Sequence, residues 1–255
     1  MAARWEQLAE ELEAEIAQLE PGSAAPSMKQ LLDAGRGSTT TISAAYRELK
    51  RKGLVKGVRG SGYLVRDRRP IKIRLNRYGS TVEPGGSFGP WESALAAQGL
   101  EGRMLLVATS EGEAPASVAA KLRLTEARGY TVVGRTRHAV LETAAGDEVV
   151  QLQQAWYPVD VARAAGLDGD DKVVGGTLAR LAAAGLVGSA SERVFLREAT
   201  KAESGLLDLP PGSLVVQIER LLFDGDDRPV ELLQIAADPS RTELVYDGLE
   251  LNGLR

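Results

Sequence analysis

The chain has 255 residues, of which 44% are hydrophobic and 26% are charged, with a formal net charge of -4. This composition is ordinary for a folded protein with room for two modest domains. The chain lacks cysteine and has a single histidine, His138, which excludes disulfides, thiol nucleophiles and histidine-based metal clusters. We therefore expect neither a metal nor a cofactor. No apolar run is long enough for a signal peptide or a membrane span, so we expect a cytoplasmic protein.

The charge is distributed unevenly along the chain. Residues 1–70 contain 12 Lys and Arg against 9 Asp and Glu, whereas residues 71–255 contain 19 against 26. Within the first part, residues 47–69 hold nine basic side chains and two acidic ones, a local balance of +7. A basic cluster on an acidic protein indicates a confined surface for a polyanion. The alternative is a solvated basic face without a partner.

The first fifty residues have the pattern of three helices. Apolar positions three and four apart predict an amphipathic helix over 3–20. Ser27 is an N-cap candidate for a short second helix over 28–34, and a third helix begins at Gly37 and Ser38. The buried stripe of the third helix is predicted to be Ile42, Ala45, Tyr46 and Leu49.

A hairpin is predicted to follow the third helix. Two apolar-rich runs, 54–58 and 63–65, flank the segment Arg59-Gly60-Ser61-Gly62, which predicts a flexible basic tip. Three helices and a hairpin form a winged helix-turn-helix, in which the start of the third helix enters the DNA major groove. Arg59 on a thin tip could enter a minor groove. The structural alternative is that these hydroxyl and glycine residues only cap helices and form turns.

Residues 26–65 resemble the DNA-binding domain of the GntR family of bacterial transcription regulators. The resemblance is carried by Pro26-Ser27, the hydroxyl-rich run from Ser38 to Thr41, Gly53-Leu54-Val55 and Gly60-Ser61-Gly62. It implies DNA contacts at Lys29, Ser38, Thr39, Thr40, Thr41, Ser43, Arg59 and Gly60. The predicted DNA-binding set also includes Ser27, Tyr46, Arg47, Ser61 and Gly62. The family usually has arginine at position 39 and often at 43, so the resemblance predicts the binding mode without the operator sequence.

The second half reads as an α+β domain. We expect a winged helix-turn-helix domain over 1–68, a linker rich in Arg, Pro and Gly over 69–102, and a second domain over 103–255. Strands are predicted at 103–109, 131–141, 148–157, 187–198, 214–223, 229–237 and 243–250. Helices are predicted at 115–121, 159–165, 173–185 and 200–206. Hairpin connections make the sheet largely antiparallel.

Side-chain alternation in these strands predicts a pocket. Arg135 and Arg137 share one face of their strand, and Glu231 shares a face with apolar residues, where a carboxylate needs a partner. Gln151 and Gln153 add hydrogen-bonding amides. The residues alone favour an internal ion pair between Glu231 and Arg135 or Arg137 over a ligand site.

Residues 103–250 are similar to the effector-binding domain of HutC-type GntR regulators, called UTRA, whose fold is that of chorismate lyase. The matching segments are 132–141, Trp156-Tyr157-Pro158, 176–181, Ile218-Glu219-Arg220 and Pro229-Val230-Glu231. The resemblance implies effector contacts at Arg135, Arg137, Thr177 and Glu231. Gln153 corresponds to an acidic residue of the family. The family also has a motif near the end of this domain, and Arg241 is the residue of that motif that the chain retains. These departures weaken the expectation that the ligand is a sugar phosphate.

We therefore expect a HutC-type transcriptional repressor that binds a palindromic double-stranded DNA operator as a homodimer. A small-molecule effector, anionic if the arginines bind it, would control operator affinity. The alternatives are an effector-independent DNA-binding protein and, with little support from nucleophile or base residues, a chorismate-lyase-like enzyme. We also expect Trp5 to pack the first helix onto its domain, Trp156 to lie in the second core and Trp91 to belong to the linker.

Overall fold

The computed structural model describes residues 3–58, 60, 62–74 and 88–246. The chain begins with three helices and a two-stranded antiparallel hairpin, as the sequence predicts. These elements are α1 (Arg4–Ile16), α2 (Met28–Asp33), α3 (Thr39–Arg51), β1 (Val55–Val58) and β2 (Gly62–Val65).

Local side-chain bonds define the starts of α2 and α3. The Ser27 hydroxyl accepts a hydrogen bond from the backbone N–H of Gln30, whose side chain accepts one from the Ser27 N–H. The Ser38 hydroxyl accepts from the backbone N–H of Thr41 at 3.2 Å. The predicted N-cap at Ser27 is thus confirmed, and Ser38 caps α3. The predicted stripe of α3 is also confirmed, because Ile42, Ala45, Tyr46 and Leu49 are fully buried.

The elements of the second domain in chain order are β3 (Ile71–Arg74), α4 (Pro90–Ala96), β4 (Glu101–Glu113), α5 (Ala116–Lys121), β5 (Thr131–Glu142), β6 (Glu148–Pro158), α6 (Val159–Ala165), α7 (Thr177–Ala183), β7 (Ser189–Glu198), α8 (Lys201–Leu206), β8 (Leu214–Phe223), β9 (Pro229–Ala237), a short 3-10 helix (Pro239–Arg241) and β10 (Thr242–Val245). Six of the strands form an antiparallel sheet in the order β4-β5-β6-β9-β8-β7. No helix in the described ranges is long and apolar enough to cross a membrane.

Part of the predicted linker belongs to the second domain. Strand β3 pairs in parallel with β10, and α4 packs against the sheet. The Trp91 side chain is 6% exposed and donates a hydrogen bond to the Val140 carbonyl at 3.3 Å. The placement of Trp91 in a linker is therefore wrong, because the apolar side of α4 completes the core over β5. The last predicted strand, 243–250, corresponds to β10 (Thr242–Val245), and its residues 247–250 lie outside the described ranges.

The two domains contact each other directly. Arg66, at the end of β2, forms a buried ion pair with Glu148 at the start of β6, with Nε and Oε1 3.2 Å apart. The Lys56 ammonium donates to the Asp147 carbonyl at 2.9 Å. A third contact joins α3 to the second domain through Lys50 and Asp208, 2.8 Å apart. The winged helix is therefore docked on the second domain in this conformation.

Candidate DNA-binding surface and effector cavity

The start of α3 presents small hydroxyl side chains to solvent. Ser38, Thr39 and Thr40 are exposed, and the Thr41 hydroxyl is 3.0 Å from that of Ser38. Ser43 follows and is half-buried. Exposed hydroxyls at the start of a recognition helix can reach base edges or phosphates. Two further residues of the predicted set, Ser27 and Lys29, are also exposed.

The prediction of a DNA contact at Tyr46 is wrong. Its ring is fully buried and stacks on Tyr63, with 4.2 Å between ring centroids. Its hydroxyl donates a hydrogen bond to the Pro26 carbonyl. Burial raises the pKa of Tyr46 to about 12. The residue therefore joins α3 to the segment before α2 and to the hairpin.

The second half of α3 lines an open groove against the second domain. Arg47 is exposed and lines this groove of about 520 Å³ together with Ala44 and residues 209–211 of the second domain. Trp5 of α1 is half-buried and lines the same groove beside Ala44 and Arg47 of α3. In this docked arrangement, Arg47 lies at the boundary between the domains.

The tip of the wing is described only in part. Gly60 and Gly62 are exposed, with φ of +85° and +77°, a region that side chains with a Cβ rarely adopt. The predicted DNA contacts at Arg59 and Ser61 lie outside the described residues.

Ion pairs neutralise much of the basic cluster at 47–69. Among the described residues of this cluster, which do not include Arg59, five basic side chains pair with carboxylates: Lys50 with Asp208, Arg51 with Glu48, Lys52 with Glu13, Arg66 with Glu148 and Arg69 with Asp67. The local balance of +7 therefore overstates the charge that this part of the chain can present to DNA. Counting charges along the segment missed the acidic partners, which lie on α1 and on the second domain.

A cavity of about 460 Å³ lies between the sheet, α4 and the segment before α7. Its floor is a row of directly paired residues on five neighbouring strands. The row runs Leu106, Arg137, Gln153, Ile235, Ile218. The basic residues that line the cavity are Lys72, Arg74, Arg135, Arg137, Lys172 and Arg220. The structure thus brings Arg135, Arg137, Gln153 and Thr177 of the predicted effector set to one cavity.

Arg135 is bound mainly by the protein itself. It is 2% exposed, and its guanidinium donates to three backbone carbonyls, those of Leu167 at 2.8 Å, Gly169 at 2.5 Å and Asp171 at 2.8 Å. Burial lowers the pKa of this guanidinium. Arg135 therefore holds the loop between α6 and α7 against the sheet.

Arg137 has a different environment. Its Nη1 donates to the Thr177 hydroxyl at 3.2 Å, and its Nε is buried without a hydrogen-bond partner among the described residues. Gln153 lies directly opposite Arg137 in the β5–β6 ladder, and its amide donates to Gln151 at 3.3 Å. A half-buried guanidinium that lines a cavity beside a hydroxyl group is suited to a bound anion.

Two residues predicted for the effector site lie elsewhere. Glu231 is fully buried and does not line the cavity, because its carboxylate accepts from the Tyr157 hydroxyl and from Arg220, both at 2.7 Å. The expected internal ion pair exists, with Arg220 as its partner rather than Arg135 or Arg137. Burial opposes ionisation of Glu231, but the positive charge of Arg220, the hydrogen bond from Tyr157 and the charge of Arg137 together outweigh burial and lower the pKa of this carboxyl.

Arg241 is the second misplaced residue. It is 3% exposed and lies near Glu148 and Asp67, at the junction of the two domains. The cavity is instead lined by residues that the sequence analysis left out, above all Trp91 and Met104. The signal for Trp91 was the apolar pattern of α4 inside a segment that is otherwise rich in Gly and Pro, whereas Met104 lies on β4.

Comparisons with known proteins match both halves of the chain. Residues 4–65 match the family described as bacterial regulatory proteins, gntR family, and residues 97–242 match the UTRA domain. An uncharacterized HTH-type transcriptional regulator of Streptomyces coelicolor is 30% identical over 239 residues, which cover 90% of this chain and 87% of that protein.

Solved structures share the fold. PhnF from Mycobacterium smegmatis has a TM-score of 0.57 at 22% identity, covering 93% of this chain and 97% of that one. The effector domain of the same protein has a TM-score of 0.53 at 22% identity, covering 70% of this chain and 100% of that one. The protein therefore belongs to the GntR family of bacterial transcription regulators, with a DNA-binding helix-turn-helix domain followed by a UTRA effector-binding domain.

Proposed function

We propose that the protein is a homodimeric repressor whose affinity for a palindromic operator changes when a small anionic molecule occupies the cavity. The observation that carries this proposal is Arg137, a half-buried cation that lies beside the Thr177 hydroxyl on the floor of the cavity in the second domain. We choose repression rather than activation because a dimer bound to its operator blocks access to that DNA. It needs no additional surface for contact with another protein. Such a regulator acts on DNA in the cytoplasm and catalyses no reaction.

The docking of the two domains supports communication between cavity and DNA. Arg66 and Glu148 form a buried pair, and Glu148 opens β6, the strand that carries Gln153 on the cavity floor. A ligand changes operator affinity only if it binds the two domain arrangements differently. The buried pair gives the two domains one defined arrangement that such a ligand can favour or oppose.

A second copy of the chain fits the edge of the sheet. In the described residues the sheet ends at β7, where Val194, Phe195 and Leu196 are 39%, 40% and 61% exposed. An exposed apolar edge strand is a template for pairing unless it is covered. Two recognition helices must also reach half-sites about 34 Å apart, which requires two chains.

The test is selection of bound fragments from source genomic DNA by the full chain at two salt concentrations. We expect a two-fold symmetric sequence, bound with an affinity that falls steeply with salt. The Thr39→Ala/Thr40→Ala variant should lose the enrichment while it keeps the melting temperature. Recovery of fragments without a common sequence would contradict a specific operator.

An effector-independent DNA-binding protein is the second candidate. It is favoured by Arg135 and Glu231, whose charges are satisfied within the protein. The two candidates differ in one measurable property: a ligand that binds the folded state must raise the melting temperature. Stabilisation by a cavity ligand without any change in operator affinity would favour the second candidate.

A further inference from the structure

We propose that the loop 208–211, between α8 and β8, competes with DNA for the exposed face of α3. The arrangement in which the two domains are docked is therefore a resting state, and DNA binds after this loop has left α3. The competition goes beyond the proposed function, because it takes place within the chain and requires no effector.

The residues of α3 that are available to DNA form one stripe. Thr39, Thr40, Ser43, Arg47 and Lys50 fall within an arc of about 100° around the helix. The helix has 13 residues and is therefore about 20 Å long, whereas the major groove is about 12 Å wide. When the hydroxyls at the start of α3 reach base edges, the second half of the stripe lies at the rim of the groove, where the phosphates are. Arg47 and Lys50 are the cations of that half.

The loop 208–211 occupies this second half of the stripe. The Asp208 carboxylate lies 2.8 Å from the Lys50 ammonium. Residues 209–211 line the same groove as Arg47. A carboxylate oxygen on an ammonium takes the place and the charge of a phosphate oxygen. A DNA backbone that approached Arg47 along the stripe would meet the polypeptide of 209–211.

The backbone at Asp208 shows that its carboxylate is not needed to end α8. Its φ is +51°, in the left-handed region that glycine adopts most readily and that commonly follows the last turn of a helix. The Leu209 N–H closes the turn by donating to the Ser204 carbonyl at 2.8 Å. Glycine would close the same turn without a side chain. The role of the Asp208 carboxylate is therefore its ion pair with Lys50.

DNA can displace this contact because it is exposed. The Lys50 and Asp208 side chains are 43% and 39% exposed, in contrast to the buried pair of Arg66 and Glu148. Ion pairs with such exposure are weak and are screened by salt. A duplex presents a row of phosphates and so attracts both cations of the stripe at once. We therefore expect the charge of Asp208 to lower DNA affinity by a modest factor, about twofold to fivefold.

The first experiment fixes the loop on α3. The chain has no cysteine, so a bifunctional methanethiosulfonate joins only the two new thiols of Lys50→Cys/Asp208→Cys, and reduction separates them again. Fluorescence anisotropy measures binding to a mixed-sequence duplex of about 40 base pairs at about 50 mM NaCl, where phosphate contacts dominate. We expect the joined protein to bind about tenfold more weakly, or worse, than the same protein after reduction.

A second cysteine pair controls for the reagent. Arg103→Cys/Glu142→Cys replaces an ion pair that is 44% and 43% exposed and lies within the second domain. Joining these two positions does not connect the domains. This protein should bind the duplex equally well before and after reduction.

The second experiment removes the charge alone. Asp208→Asn keeps a side chain that tolerates positive φ, and it should bind the same duplex about twofold to fivefold more tightly. Asp227→Asn is the matched control, because Asp227 has a φ of +57° and pairs with Arg123 at 3.5 Å on another turn of the second domain. Its affinity should be unchanged. In a Lys50→Met background, Asp208→Asn should have no effect, since the carboxylate has lost the ammonium that it occupies.

Three results would overturn the inference: equal binding by the joined and the reduced protein, no gain from Asp208→Asn, or a full gain that persists in the Lys50→Met background. The third result would mean that Asp208 repels DNA from a distance. None of them decides the proposed function, because operator selection and the response to a cavity ligand are measured with the loop unchanged. Circular dichroism and melting curves of each variant separate loss of folding from loss of binding.

Discussion

Arg66 of the winged-helix domain and Glu148 of the sheet domain form an ion pair whose side chains are 6% and 3% exposed. Arg241 lies near the same pair and is also buried. Removing one member of a buried pair leaves an uncompensated charge, which is far more costly than losing a surface pair. The contact between the domains therefore depends strongly on each of its two members.

The first prediction concerns this pair. Glu148→Gln should reduce the free energy of unfolding by about 3 kcal/mol, because the Arg66 guanidinium stays buried without its counter-charge. Denaturant unfolding at pH 7 measures the change. Glu142→Gln is the control, since it removes a pair with Arg103 that is more than two-fifths exposed and should cost at most about 1 kcal/mol. Equal effects of the two substitutions would argue against a buried domain contact.

The second prediction separates Tyr46 from the exposed hydroxyls of α3. Tyr46→Phe should cost about 0.5–1.5 kcal/mol of stability, because the Pro26 carbonyl loses its donor, and it should leave operator affinity unchanged. Thr40→Ala should do the reverse, lowering operator affinity about tenfold with unchanged stability. A loss of operator affinity in a fully folded Tyr46→Phe variant would show that the buried ring also acts on DNA.

The third prediction concerns pH. Hydrogen bonds from Arg197, together with other contacts that outweigh burial, lower the pKa of Glu203 from 4.5 to about 2. A carboxyl whose pKa is lower in the folded state stabilises the fold above pH 4.5 and loses that contribution as pH falls toward 2. Glu203→Gln should therefore cost about 1–2 kcal/mol at pH 7.

The difference between the Glu203→Gln variant and the unmodified protein should shrink as pH falls below 4.5. Denaturant unfolding of both proteins at pH 7, 5, 4 and 3 measures this difference in the free energy of unfolding. A difference that is constant across this range would mean that the Arg197 contact contributes no pH-dependent stability.

The fourth prediction tests the proposed dimer edge. Leu196→Lys places a charge on the exposed face of β7 and should convert the dimer to monomers, because a lysine at the centre of a paired edge opposes pairing. Leu105→Lys is the matched control, since Leu105 is 46% exposed on β4, the opposite edge strand. Light scattering coupled to gel filtration gives the mass of each variant. Dissociation by Leu105→Lys alone would assign the interface to β4.

Local patterns of sequence predicted most of the elements. The predicted ranges of α6, β8 and β9 match the structure residue for residue, because alternating apolar side chains and the Asp-Gly turn after residue 223 fix strands and hairpin locally. The resemblance to known families then placed Arg135, Arg137 and Thr177 at one cavity.

Contacts distant in sequence account for what was missed. Strand β3 is held by β10, about 170 residues later, and composition alone therefore assigned it to a linker. The partner of Glu231 depends on the register of β8 against β9, which sets Arg220 opposite Leu233 and within reach of the carboxylate. Alternation along one strand indicates that a carboxylate needs a partner without identifying which neighbouring strand supplies it.

The three carbonyls that bind Arg135 have an evolutionary consequence. Leu167, Gly169 and Asp171 contribute backbone oxygens, which every amino acid provides, so substitutions at these positions leave the acceptors in place. The loop leads directly into Lys172 and Val173, which line the cavity. Descendants of this protein can therefore change the side chains of the loop, and with them the ligand preference at the cavity mouth. The loop backbone stays in place because Arg135 still binds its carbonyls.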